Sequence, residues 1–149
     1  MMNPKLRKVP FTYPWILDQA MGDDVKTVLD IGCGTGDLMA TMAQGKNWDI
    51  TGVELFDDSI KAAEATGVYK KIVKADITKL PAELLEKKFD VVFSSMAVEH
   101  IQKEPALALI KQMESMSLKR TVVTTIVGFY GFSPLDPNGE ERNPYQIQV

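Results

Sequence analysis

One cysteine, Cys33, and one histidine, His100, are all that the sequence holds of each. A lone cysteine excludes an intramolecular disulfide, and without a CxxC pair or a Cys/His cluster no metal site is expected. A reducing compartment fits that usage. No apolar run approaches the ~18 residues of a membrane span. The first residues, MMNPKLRKVPFTYPWIL, carry basic side chains but no apolar stretch of secretory length, and Pro10 and Pro14 interrupt them. The expectation is a cytoplasmic protein with no membrane segment. A strong charge of one sign is lacking too. The net charge of −3 gives no support to a phosphate-backbone partner, so nucleic acid is not the expected partner. Internal repeats and low-complexity tracts are also missing.

What is there is enough for one core. At 149 residues, 45% of them hydrophobic, the chain suits a single domain. Apolar segments alternate in kind along it. Residues 25–31 (VKTVLDI), 49–55 (DITGVEL), 70–76 (KKIVKAD), 89–94 (FDVVFS) and 121–127 (TVVTTIV) read as strands. Residues 37–44, 57–66, 81–88 and 105–117 read as helices. Gly45 and Gly67 follow two of these helices, and Pro81 opens a third. In the last helix Leu109, Ile110, Met113 and Met116 fall on one face, and Lys119 and Arg120 suit its C-terminal end. Strands separated by helices imply right-handed βαβ units. The expected fold is therefore α/β, three-layered and Rossmann-like, with a mostly parallel sheet in the order 3-2-1-4-5. A ligand crevice is expected at the C-terminal ends of the strands. Residues 1–24 form an N-terminal cap segment on this reading, and 129–149 an irregular tail.

The sharpest local signal is VLDIGCGTG at residues 28–36. A buried strand runs into Gly32, Gly34 and Gly36, and a helix starts at Asp37. Glycines belong where φ is positive or where a ligand lies against the backbone. A dinucleotide favours GxGxxG, with a pyrophosphate at the helix N-terminus. The spacing here is GxGxG, preceded by Asp30, which either faces positive charge on a ligand or accepts loop amides. Glu54 ends the second strand 18 residues after Gly36, where an acid accepts hydrogen bonds from ribose hydroxyls. By its place at a strand end it is not expected to be core.

These residues resemble motif I and the following motifs of the class I S-adenosylmethionine-dependent methyltransferases, over roughly residues 25–130. The resemblance implies S-adenosylmethionine as cofactor and S-adenosylhomocysteine as product. It implies that Glu54 holds the ribose and that Leu55 packs on the adenine. Asp76, with the amide of Ile77, would read the adenine edge. Ser94, Ser95 and Met96 would lie beside the methyl donor.

Methyl transfer to a sulfonium-activated carbon rests mainly on positioning, and a base is needed only when the acceptor must lose a proton. His100 is the candidate base, against a role in capping or packing, and Glu99 is a weaker one. The segment after the fourth strand reads SSMA rather than the Asn/Asp-Pro-Pro-aromatic motif of amino-methylating nucleic-acid enzymes. A small-molecule acceptor is therefore expected, with Tyr13, Trp15, Phe129, Tyr130, Phe132 and Tyr145 as pocket candidates. The resemblance also implies seven strands, whereas nothing after the fifth reads as a further βα unit. Strands 6 and 7 are thus expected to be missing, and 121–127 would be a charge-free edge. Either residues 145–149 cover that edge or a second copy pairs there; association into a homodimer is the expectation. Two alternatives stay open: a non-catalytic module that binds the cofactor or its product, and a truncated methyltransferase core. A nicotinamide oxidoreductase is disfavoured by GxGxG.

Overall fold

A computed structural model describes residues 3–125. The 3-10 turn Pro4–Lys8 leads into α1 (Tyr13–Met21). There follow β1 (Thr27–Ile31), α2 (Asp37–Ala43), β2 (Asp49–Glu54), α3 (Asp57–Ala65), β3 (Lys71–Lys74), α4 (Ala82–Leu85), β4 (Phe89–Ser95), α5 (Lys103–Met116) and β5 (Ser117–Thr124). The five strands form one sheet in the order β3-β2-β1-β4-β5, and all four pairings are parallel. The expected α/β architecture and strand order are what the chain adopts.

Strand alternation divides the core between the two faces of the sheet. Leu29 and Ile31 of β1 pack with Val53, Val92, Leu109, Met113 and Met116. Val28, one residue away, faces the other side, among Leu17, Met21, Met39, Met42 and Phe93. The helical spacing of Leu109, Met113 and Met116 is thus the buried stripe of α5; Ile110, expected on the same face, is half-buried. The N-terminal ends of β1 and β4 are tied side by side. Asp90 Oδ2 accepts the amides of Lys26 and Thr27 at 2.8 and 3.1 Å, and Thr27 Oγ1 accepts the Asp90 amide at 2.8 Å.

Within the N-terminal segment α1 forms with Pro14 in its first turn, where a missing N–H costs nothing. One expectation needs correction. At the other end, α5 passes into β5 with no loop between them. Ser117 is already extended at ψ 133°, and its hydroxyl bonds the Met113 carbonyl at 2.9 Å, which satisfies the helix end. Lys119 and Arg120 are therefore residues of β5, not of a helix terminus. One extra residue of β5 is taken up opposite Phe89–Val91 of β4, an irregularity at the start of their ladder. Lys119 pairs with Asp24 and Asp90, and Arg120 with Asp24 at 2.6 Å. The outer strand thus starts earlier than expected and carries its two charges at its N-terminal end. Both basic residues precede the run expected to be charge-free, and residues 121–124 of β5 carry no charge. The tail at 129–149, its aromatic residues and the covering segment at 145–149 lie outside the described residues.

Candidate functional site

The loop after β1 is bent by three glycines with left-handed φ: 73° at Gly32, 53° at Gly34 and 77° at Gly36. The three differ in what surrounds them. A Cβ on Gly36 would lie 2.8 Å from the Tyr69 ring and 3.1 Å from the Ala63 backbone, so this glycine is set by packing. A Cβ on Gly34 would meet nothing within 4 Å, because this residue faces open space. The loop is pinned from β2: the amides of Gly32 and Cys33 both donate to the Val53 carbonyl, at 2.9 and 3.0 Å.

Two cavities meet over this loop, and Gly32, Gly34 and Met96 line both. The first, of about 220 Å³, lies over the ends of β2 and β3. Glu54, Leu55, Asp76, Ile77 and His100 line it. The second, of about 370 Å³, lies between the loop and α1, with Tyr13, Asp30, Gly36, Asp37 and Ser95 in its lining. Met96 stands at the junction with φ at 55°, an unusual conformation for a side chain of this size. Its amide donates to the Thr124 carbonyl at 2.8 Å, so the end of β5 holds it there.

Glu54 is only 7% exposed and accepts three backbone amides. Its Oε2 accepts the Gly34 amide at 2.9 Å, and its Oε1 accepts those of Leu55 and Phe56 at 2.8 and 3.1 Å. One carboxylate thus fixes both the glycine loop and the turn into α3. The expectation that a strand-end acid lies outside the core is wrong here. Asp76 makes an Asx turn, with Oδ1 accepting both the amide and the hydroxyl of Thr78 at 2.8 and 2.7 Å.

Asp30 lies on the α1/α2 face, 4% exposed. Of its two expected roles, acceptor of loop amides and partner of positive charge, the first is filled differently: Tyr69 donates its hydroxyl to Asp30 Oδ2 at 2.7 Å. Burial pushes the Asp30 carboxyl up to about 7; the Tyr69 hydroxyl opposes this, and the charge of Glu54 adds to it. Burial likewise raises the Tyr69 phenol and the Cys33 thiol, so both stay neutral. Cys33 is half-buried packing, with no metal-binding group of His, Cys, Asp and Glu around it among the described residues.

Ser94 lines neither cavity. It is wholly buried, and its hydroxyl donates to the Ile31 carbonyl at 2.9 Å, because its position in β4 turns it into the sheet. Ser95, one residue on, faces the second cavity and shares a cluster of hydroxyls with Tyr13, at 2.5 Å, and Thr124, at 3.1 Å. His100 follows β4 in a short 3-10 turn, half-buried, with Nδ1 buried and without a hydrogen-bond partner among the described residues. Sequence reading missed Tyr69 altogether, because it reaches Asp30 across 39 positions.

Known proteins place this arrangement in context. The family described as "Methyltransferase domain" matches residues 28–119. A ubiquinone biosynthesis O-methyltransferase of Bordetella avium is 33% identical over 96 residues, which are 62% of this chain and 39% of that protein. The chain thus spans about two-fifths of the length of such relatives. A SAM-dependent methyltransferase of Archaeoglobus fulgidus superposes with a TM-score of 0.57 at 28% identity, covering 77% of this chain and 48% of the other. An amino pentose methyltransferase of Micromonospora echinaspora, solved with SAM bound, shares the fold at a TM-score of 0.61 and 20% identity, over 75% and 48% of the two chains.

Proposed function

Since the chain belongs to the methyltransferase-domain family over residues 28–119, we propose that it binds S-adenosylmethionine in the two joined cavities and transfers its methyl group to a small-molecule acceptor. One observation carries the reading: the cavities meet at Gly34, which has open space above it, and each has its own acidic side chains.

The residues fit the two halves of that ligand. A carboxylate offers about four acceptor sites. Glu54 uses three of them on backbone amides, which leaves it able to take a ribose hydroxyl without releasing the loop. Leu55, 39% exposed, offers an apolar surface to the adenine. Both bonds to Asp76 fall on Oδ1, so Oδ2 is available to the exocyclic amine, beside the amide of Ile77. The second cavity has Asp30 and Asp37 in its lining and no Lys, Arg or His, which suits the ammonium and sulfonium groups of the methionine half. Ser94 supports the strand rather than touching ligand.

The bound cofactor supplies a methyl group on a cationic sulfur, already activated for displacement. The protein's part is to position donor and acceptor and to exclude water. Met96, exposed at the cavity junction, provides an apolar wall there. Where the acceptor must lose a proton, the His100 imidazole is the group in the cavity lining that can take it. The relatives named O-methyltransferases favour a hydroxyl acceptor. We place the chain in the cytoplasm; no helix among the described residues is long and apolar enough to cross a membrane. Nucleic acid is not the proposed acceptor.

The test is transfer of labelled methyl from S-adenosylmethionine to a panel of small hydroxyl- and amine-bearing acceptors. Label should appear in a hydroxyl compound and depend on His100. The alternative reading is a module that holds the cofactor without an acceptor site. It predicts binding with no transfer to any acceptor. Absence of both binding and transfer would overturn both readings.

A further inference from the structure

Tyr69 lies in the segment between α3 and β3, outside every motif that marks the cofactor site. Its ring nevertheless packs under two glycines: a Cβ would approach it to 2.8 Å on Gly36 and to 3.0 Å on Gly52. From that position its hydroxyl meets Asp30 Oδ2 at 2.7 Å, at the floor of the second cavity. We propose that Tyr69 is a positioning residue of this site: it holds the Asp30 carboxylate toward the cavity, and the pair takes up a cationic ligand group there with release of a proton. The inference rests on the cofactor reading above.

The surroundings of Asp30 give the reason. Glu54 approaches from β2, Cys33 from the loop and Tyr69 from ahead of β3. Asp37 at the start of α2 and Tyr13 of α1 line the same cavity, and β4 contributes Phe93 and Ser95. None of these is a cation. The ionised carboxyl is thus stabilised in place by the Tyr69 hydroxyl and opposed by burial and by Glu54. A ligand ammonium or sulfonium entering the cavity supplies the missing positive charge and favours loss of the proton. The balance is simple: one proton leaves Asp30 for solvent as one cationic ligand binds, and no bond in the ligand changes. Tyr69 remains a neutral donor throughout.

Calorimetry with S-adenosylhomocysteine, repeated in two buffers of different ionisation heat, tests this on the full chain. The wild type should bind more tightly as pH rises toward about 7 and then level off, releasing a proton over that range. Tyr69→Phe keeps the ring and loses the donor. If Asp30 becomes one unit harder to ionise, affinity at pH 7 falls about fivefold and is restored at higher pH. Asp30→Asn should bind weakly with no proton release. An equal loss at every pH in Tyr69→Phe would reduce Tyr69 to packing and overturn the inference. Binding by wild type without proton release below pH 7 would overturn it too, whether or not the Phe variant folds. No binding by any form at any pH would instead remove the cofactor reading itself, and this inference with it.

Discussion

Replacing Glu54 should damage the fold and the ligand site together, because the same carboxylate serves both. It accepts three backbone amides at 2.8–3.1 Å from a position 7% exposed. Hydrogen bonds to a charged group contribute about 1.5–3 kcal/mol each. The three share one carboxylate, and the amides border an open cavity where water can replace part of what is lost. Their contributions therefore do not add, and Glu54→Ala should lower stability by ~2–4 kcal/mol. Glu54→Gln keeps one oxygen but sets an amide N–H₂ against a donor, either Gly34 or the Leu55/Phe56 pair, so roughly half that loss is expected. Urea unfolding of the three proteins reads this as a fall in midpoint with an unchanged slope. In the same samples S-adenosylhomocysteine should bind at least about tenfold more weakly to the alanine variant, equivalent to ~1.4 kcal/mol. If Glu54→Ala unfolds within ~0.5 kcal/mol of the wild type, the loop does not depend on this carboxylate and the reasoning fails.

Asp30 makes stability depend on pH. Its folded carboxyl titrates near 7 rather than near the ordinary 3.8, so the folded state retains the proton that the unfolded state has already lost. Its contribution is therefore fullest below about pH 4 and is lost as pH rises to about 7; Asp30→Asn should flatten that slope in melting curves. Gly34→Val should leave the core intact yet fill the space above the loop, at a backbone cost of about 1–2 kcal/mol for the left-handed φ of 53°; ligand binding should be lost while the folded circular dichroism spectrum remains, and normal affinity would show that no ligand lies against Gly34. Met113→Ala, at a fully buried position of α5, should cost ~2–5 kcal/mol by denaturant titration without changing ligand affinity in the folded protein.

The parts of the fold that follow local rules were legible in the sequence. Strands beside β-branched runs, a helix opening after Gly36 and an α5 stripe at helical spacing all have short-range causes. The α5–β5 junction was not legible, because one serine closes the helix and basic residues that suit a helix end also suit a strand edge. Pro14, a breaker in the middle of a helix, is harmless in the first turn of α1. At the site, the glycines, Glu54, Asp76 and Asp30 stand at strand ends where the topology brings them together. Ser94 and Ser95 differ only in the side of the strand they occupy, a one-residue distinction that reverses their roles. Tyr69 gave no local signal, since its meaning comes from the packing of the α3–β3 segment under the glycine loop.

The central claim is that the joined cavities hold the two halves of S-adenosylmethionine or its product. Amide resonances of the nitrogen-labelled full chain, followed during titrations with S-adenosylhomocysteine and with NAD, test it most directly. The product should saturate the protein and shift Gly32, Gly34, Leu55 and Ile77 in one transition, with NAD shifting them weakly or only at much higher concentration. Tighter saturation by NAD at those residues, or product shifts that leave all four unmoved, would contradict the account.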